Sequence, residues 1–575
     1  DIRGYYTFNS TDHKNISVSI TGEKNQPKIL IEAIDSTNLK SKLEENKLTF
    51  YSEKGNFRAS GNILTNEING KYQDSSGAFF DYKMIRDSLF IEMEDETKKL
   101  VIKKTPTIWS PNKSNGLQKE LKAKTILFKN ATLWTNEDLG IIKSADIAIS
   151  NGKIVAIGES LDTTQIPNYE NLDLQILDVK DKHLTTGIID EHSHIAISNG
   201  VNESSQSVTA EVSISDVINP EDHNIFRQIA SGVTCSQLLH GSANPIGGQS
   251  ALIKLRWGKS AEEMKIQNTD GFIKFALGEN VKQSNWGSFN TTRFPQTRMG
   301  VEQVFYDAFY RAKDYKKNWE KYNSLSTRQK RETDPPREDL ELNTLVEILD
   351  GKRHITCHSY VESEINMLMH VADSMEFKIN TFTHILEGYK VTEKLKKHSA
   401  GASTFADWWA YKFEVNDAIP YNASILNNAG VVTAINSDDA EMGRRLNQEA
   451  AKAIKYGGTS EEDAWKMVTL NPAKLLRLDN KMGSLKVGKD ADIVIWSGNP
   501  LSIYSKVEQT YIDGICYFDS KEQPLNQERD LKEKMRIINK LSRSKSKSKI
   551  KHKPKKDILY HCDTIEHEHN HDHDH

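Results

Sequence analysis

Between about residue 186 and residue 478, runs of apolar and β-branched residues alternate with stretches of helical periodicity. Groups of short strands flank this middle on both sides, and metal-ligating residue types stand at the ends of several successive strands. These three observations predict an α/β protein. Its core is a (β/α) barrel of the TIM kind inserted in a small β-sandwich built from both flanks, and a β-rich module precedes it. A doubly wound sheet also alternates strand and helix, but it gathers its ligands near one switch point.

In order, residues 1–115 alternate polar and apolar positions in short runs such as Ile16-Ser-Val-Ser-Ile20 and Leu48-Thr-Phe-Tyr-Ser52, an accessory β-rich module without a clustered ligand set. Pro106, Pro111 and Asn112 mark its end. Residues 118–185 form the first part of the sandwich, with a hairpin turning at Asn151-Gly152. Residues 479–520 form the second part, turning at Asp513-Gly514. The barrel spans 186–478, with strands expected near 186–192, 232–239, 271–277, 353–358, 378–384, 402–406 and 431–437. Helices are expected near 299–320, 337–350, 361–373, 421–429, 445–456, 460–468 and 471–478.

Residues 521–575 read as a basic, then His-rich, disordered tail. Within it, 540–556 is a solvated Ser/Lys/Arg linker, and His567 to His575 alternates imidazoles with acids that can collect Zn, Ni or Cu loosely. The formal charge of -4 argues against a nucleic-acid partner, and no apolar run is long enough to span a bilayer. Cys235, Cys357, Cys516 and Cys562 are far apart and read as isolated core or surface thiols. The start at Asp1, without Met or a signal-like segment, reads as processing or as a piece of something longer. The compartment stays open: periplasmic or secreted if processing made that end, otherwise cytoplasmic.

The chemistry concentrates in Gly187-Ile-Ile-Asp-Glu-His-Ser-His194, an apolar strand ending in a polar mouth. Side chains alternate along a strand, so His192 and His194 share a side. His358 ends a second apolar run, His384 a third, and Asp438 follows a fourth. Neutral imidazoles bind a divalent ion while leaving it net positive, and a carboxylate beside it can take a proton from water and return it to a leaving group.

These residues, with Gly232-Val-Thr-Cys235, Asn471-Pro-Ala-Lys474 and Met482-Gly-Ser-Leu-Lys-Val-Gly-Lys-Asp-Ala-Asp-Ile-Val-Ile495, resemble the amidohydrolase superfamily of metal-dependent hydrolases, and more closely its imidazolonepropionase-like and prolidase-like branch. The resemblance covers about 118–520 and implies a (β/α)8 TIM-like barrel. It implies His192 and His194 as the first metal pair, His358 and His384 as ligands of later strands, and Asp438 as ligand and general base. Asp438 and His384 are the catalytic candidates. Members carry a carbamylated lysine or a glutamate as bridging ligand, and Gly271-Phe-Ile-Lys-Phe-Ala-Leu-Gly-Glu-Asn280 offers both Lys274 and Glu279. Lys274 matches the position more closely; the alternative is a mononuclear site that Lys274 only braces.

His240, Asn244, Gln249, Arg293, Arg298 and Tyr389 lie in loops expected over the barrel mouth and are the substrate-binding candidates. Gly247 and Gly248 would let backbone approach a ligand closely, and an arginine could clamp a carboxylate. The expected function is hydrolysis of a C–N bond, in an amide, cyclic amide or dipeptide, by metal-bound hydroxide with Asp438 as base and acid. The expected cofactor is a divalent metal, zinc first, as one or two ions, with carbamylation of Lys274 open. The expected partner is a small-molecule substrate; a homo-oligomer or association with a longer precursor stays open. The rival readings are a lapsed barrel serving as a binding or assembly module, and a metal store based on the His-rich end.

Overall fold

The computed structural model describes residues 1–32, 39–53, 55, 57–89, 108–167, 173–286, 293–543, 559, 560 and 562. The linker from 544 and His567 to His575 lie outside the described residues. The chain forms two compact units, Asp1–Pro106 and Thr107–His575.

The first unit is an eight-stranded antiparallel sheet in which Gly4–Ser10 pairs with both Ile16–Glu23 and Phe79–Leu89. The two ends of the strand order meet where the Ser41 hydroxyl donates to the Pro27 carbonyl. Alternation puts Tyr6, Phe8, Val18, Ile20, Leu48, Phe50, Tyr72 and Tyr82 on one buried face. Phe8 and Tyr82 stack at 5.1 Å, so rings fill the interior. The expected boundary at 115 moves back to Pro106. The Ser110 hydroxyl donates to the Gly258 carbonyl (2.9 Å) and the Trp257 indole to the Asn115 carbonyl (2.8 Å), which ties this stretch to the second unit.

The sheet built from both flanks is present. His183–Thr186 runs antiparallel to Ile493–Trp496, which joins Thr125–Trp134, Ile141–Ser150 and Lys153–Gly158 from one flank to Val507–Ile512 and Ile515–Asp519 from the other. Both predicted hairpin turns use two successive positive φ angles, 48° and 76° at Asn151-Gly152 and 52° and 72° at Asp513-Gly514. That is the twist a two-residue hairpin needs, and Asn, Asp and Gly reach it with least strain.

The middle is the parallel strand and helix core of the TIM-barrel class. Ile188–Ser193 pairs in parallel with Val233–Leu238, and Gly271–Ala276, Arg353–Ser359, Ile379–His384, Gly401–Thr404 and Thr433–Ile435 follow one another in parallel. Between the two ladders the chain doubles back as Ile246–Gln249 and Ala251–Lys254, both antiparallel to their neighbours. The ladders therefore depart from a regular eightfold repeat at a segment rich in turn formers, Gly241, Pro245, Gly247 and Gly248. First and last strands meet through Asp438 N–H to the His192 carbonyl (3.0 Å) and through Ser437, whose N–H (3.1 Å) and hydroxyl (2.5 Å) both donate to Asp190.

The helices match their predicted positions within a few residues, from Arg298–Asn323 to Leu470–Leu475. Arg298–Asn323 starts where the Thr297 hydroxyl caps Gly300 N–H, and it buries Val301, Val304, Phe305, Ala308, Phe309 and Ala312 at helical spacing. Order does not fade after 520. Gln523–Arg543 is a helix whose Leu531, Met535 and Ile538 repeat at i, i+4, i+7, with ion pairs Glu528–Lys532 (2.6 Å) and Glu533–Arg536 (2.7 Å) along it.

One buried cation pins the sandwich to the barrel. Lys254 Nζ lies 2.7 Å from Asp490, 3.0 Å from Asp492 and 2.5 Å from Asp513, and Arg256 reaches Asp513 at 2.7 Å. Removing a buried cation strands its carboxylates, at a cost of about 3–5 kcal/mol. Lys254→Met should therefore lower the urea midpoint of unfolding, and adding Asp492→Asn should recover much of the loss. An unchanged midpoint in Lys254→Met would show that the network contributes nothing.

Candidate metal centre

His384 and Asp438 enter the centre where the backbone leaves the extended region at a strand's end. His384 has φ 66° and Asp438 φ 50°, a left-handed conformation that costs on the order of 1 kcal/mol at a non-glycine residue. The turn at Asp438 directs its carboxylate back over the first strand. Outer hydrogen bonds then orient the rings: His192 Nδ1 meets Thr383 Oγ1 at 3.1 Å, and His194 Nδ1 meets the Leu239 carbonyl at 2.9 Å. Both Nε2 atoms are left facing inward, as metal-binding histidines require.

The inward atoms converge on Asp438. Its Oδ1 lies 3.5 Å from His192 Nε2 and 3.2 Å from His194 Nε2, and its Oδ2 lies 3.6 Å from His384 Nε2. The His358 and His384 ring centroids are 4.8 Å apart. Lys274 is fully buried, with Nζ 2.9 Å from His192 Nε2. Sequence reasoning missed one member: Cys562, whose Sγ lies 3.0 Å from His192 Nε2, 3.4 Å from His194 Nε2, 3.5 Å from His384 Nε2 and 3.1 Å from Lys274 Nζ. Two overlapping groups could hold an ion, His192, His194, Asp438 and Cys562, and His358, His384 and Cys562.

The donor set fits a divalent metal on the chain's own evidence. Both ring nitrogens of the fully buried His358, and Nδ1 of His384, have no hydrogen-bond partner among the described residues. Orphaned buried polar atoms are rare and costly without a ligand. Burial, reinforced by Lys274 and the neighbouring rings, holds His192 and His358 well below the usual imidazole range. Burial also lowers His194, and takes His384 down to about 3. The rings therefore stay neutral, the form that ligates. Burial pushes the Asp438 carboxyl up, but His384, His194 and Lys274 outweigh it and keep Asp438 ionised. Asp190, raised to about 7, and Glu191, raised to about 8, go the other way because burial dominates there.

Of the two bridging candidates, Lys274 sits in the cluster and Glu279 does not. The Glu279 carboxylate is held 3.3 Å from Lys412, behind Tyr360, whose ring centroid is 4.6 Å from that of His358. An aromatic wall unanticipated from sequence lines this side: Phe405 stacks on His384 at 4.6 Å and Trp408 on Phe405 at 4.2 Å.

The structure unites His240, Asn244 and Arg293, but as a clamp on the loop before residue 210. His240 Nε2 accepts from Glu203 N–H (2.7 Å), Asn244 donates to Thr209 Oγ1 (2.7 Å), and Arg293 donates to the Ser204 (2.6 Å) and Ala243 (2.9 Å) carbonyls and to Asn244 Oδ1 (2.8 Å). Gln249, Arg298 and Tyr389 bond elsewhere, to Ala210 and Thr344, to Glu364, and to the Asp417 carbonyl. Gly247 and Gly248 give close approach to protein rather than ligand: a Cβ there would lie 2.8 Å from His240 Nδ1 and 2.7 Å from Val212 Cγ2. Within the same loop Ser242 is fully buried, and its hydroxyl receives the Asn280 amide at 2.7 Å.

The fold is of the TIM-barrel class and carries a buried His/Asp/Cys cluster that could hold a metal, and comparison with known proteins specifies the family. The amidohydrolase family profile matches residues 359–518. A crystal structure of an amidohydrolase from Thermotoga maritima is 33% identical, with a TM-score of 0.61, and the match covers 68% of this chain and 100% of that one. Amidohydrolase tasK of Hapsidospora irregularis is 31% identical over 435 residues, 69% of this chain but 43% of the relative's own length. An imidazolonepropionase of Thermoplasma volcanium is 28% identical over 135 residues, 23% of this chain and 33% of that protein. The chain belongs to the amidohydrolase family, and it spans less than half the length of the curated relatives it matches.

Beside the centre, Glu414 accepts Glu279 N–H (2.8 Å) and lies 3.6 Å from Lys412. Burial, with Glu279 and Glu364 nearby, raises it to about 7 against the pull of Lys412. A raised carboxyl contributes stability that is complete below its unfolded pKa, near 4.5, and lost as pH rises through about 7. Glu414→Gln should therefore gain melting temperature relative to the parent as pH rises from about 4.5 to 8, at no more than about 1.4 kcal/mol per pH unit. A pH-independent difference between the two melting curves would refute this.

Proposed function

We propose that the chain hydrolyses a C–N bond in a small amide, with Asp438 as general base and then general acid. The observation that carries the reading is the convergence of His192, His194, His358, His384 and Asp438 from four strand ends, with the orphaned nitrogens of His358 among them. The four imidazoles and Asp438 would hold a divalent ion, zinc first, as one ion or two. When bound, the ion supplies a Lewis acid that lowers the pKa of water from about 16 to about 7 and polarises the scissile carbonyl.

The protein's own groups do the rest. Asp438, ionised and anchored by its N–H on the His192 carbonyl, takes the proton of the attacking water on a carboxylate oxygen and hands it to the leaving nitrogen. His384, stacked on Phe405, keeps its neutral nitrogen toward that carboxylate. Lys274, unmodified or carbamylated, sets the charge beside the inward nitrogen of His192. The wall of Phe405 and Trp408 offers an apolar face to the acyl part of a substrate and keeps bulk water off the reacting carbon. The partial likeness to an imidazolonepropionase supports keeping a cyclic amide beside linear amides and dipeptides.

Protein loaded with zinc should turn over at least one member of a panel of N-acyl amino acids, dipeptides and cyclic imides. Asp438→Asn should cut kcat by about 10²–10⁴ while leaving KM and the circular dichroism spectrum close to the parent. Full activity in Asp438→Asn, or no metal retained at neutral pH, would overturn the reading. So would failure across the panel, the outcome expected of a lapsed barrel.

A further inference from the structure

Cys562 lies inside the centre. Cys562 is 2% exposed, and its sulfur is the member common to both ligand groups. Ligands sharing one tetrahedral zinc, with Zn–N near 2.0–2.1 Å and Zn–S near 2.3 Å, lie about 3.5 Å apart. The Sγ distances of 3.0, 3.4 and 3.5 Å to three imidazole nitrogens approach that spacing. A structural cysteine packs as a small hydrophobe, whereas the Cys562 sulfur lies against three imidazoles and the Lys274 side-chain nitrogen. His358, fully buried, has two ring nitrogens without hydrogen-bond partners among the described residues and belongs to one of these groups.

The backbone of the same residue is fastened as well. Its N–H donates to Asp438 Oδ1 at 3.1 Å, occupying an oxygen of the base. Its carbonyl accepts from the Ser242 N–H (3.1 Å) and hydroxyl (3.0 Å), a two-donor cradle of the sort that holds an amide carbonyl. Leu559 and Tyr560, just upstream, line a cavity of about 740 Å³ that reaches His194.

We propose that Cys562 is a built-in inhibitor of this centre, with its thiolate as the ligand that closes it and its peptide group seated where a substrate amide belongs. The proposal rests on the metal-hydrolase reading above. A catalytic ion needs an open position, and a fourth protein ligand makes the site a closed, structural one. Ligation releases the thiol proton to solvent. Withdrawal of Cys562 returns the position to water and frees Asp438 and Ser242, with no change of oxidation state. Ser242 becomes in turn a substrate-carbonyl donor of the open form.

The test uses the full chain, the parent beside Cys562→Ser and Cys562→Ala, each reconstituted with Co(II). The parent should show sulfur-to-cobalt charge-transfer absorption in the near ultraviolet that both variants lack while binding the same amount of cobalt. Iodoacetamide should alkylate Cys562, located by peptide mass mapping, far more slowly in the cobalt-loaded than in the metal-stripped parent. On any amide the parent cleaves, both variants should raise kcat/KM by about tenfold or more, as expected when an occupant held nine-tenths of the sites. Equal spectra for parent and variants, alkylation independent of metal, or no cobalt uptake would overturn the ligation. A thiolate band without hydrolysis by any of the three proteins would leave Cys562 as a ligand and overturn the hydrolase reading instead. Lower or equal kcat/KM in both variants, with the band present in the parent, would overturn the inhibitory role.

Discussion

Burial that keeps four imidazoles neutral around one carboxylate is the constraint to which the rest of this chain conforms. Taken out of water, His192, His194, His358 and His384 shed their protons, while Asp438 is held below the usual carboxylate range against its own burial. Such a cluster tolerates little misplacement. The strands therefore lock together beneath it: Asp190 takes both the N–H and the hydroxyl of Ser437, and Asn436 donates to Ser403 at 2.8 Å and Thr383 at 3.3 Å. Thr383 also orients His192, so polar contacts run round the rim from the first strand to the last.

Much of this was legible in the residues themselves. His192, His358, His384 and Asp438 each terminate an apolar run, and a polar ligand type after a buried strand is a local signal that survives without any tertiary information. The turns at Asn151-Gly152 and Asp513-Gly514 were readable for the same reason: the φ angles they need restrict the residue types. The pairing of His183–Thr186 with Ile493–Trp496 was legible only as two matching strand groups.

What escaped has no local signature. Cys562 meets His192 across 370 residues, and nothing around a cysteine between polar neighbours indicates that contact. Ser242 and the Phe405 and Trp408 wall depend on how loops fold over the mouth, which periodicity does not encode. Arg293 shows a structural role that the sequence did not signal. An arginine near a barrel mouth suits a carboxylate, yet here backbone carbonyls take its donors, because a loop without regular hydrogen bonding must satisfy its C=O groups somehow. The helix Gln523–Arg543 was hidden by its charge, since Leu531, Met535 and Ile538 repeat correctly within a strongly polar stretch.

The sheet shared between the flanks has a consequence for how the chain is made. Roughly 300 residues separate Thr186 from Ile493, so at about 5–20 residues per second the His183–Thr186 strand leaves the ribosome some 15 to 60 s before its partner. Through that interval its unpaired edge is exposed beside a barrel that is itself incomplete. Lys254 likewise emerges long before Asp490, Asp492 and Asp513 can neutralise it. The second unit is thus a fold whose first strands wait for its last, and protection from wrong pairing during synthesis is a requirement written into its topology.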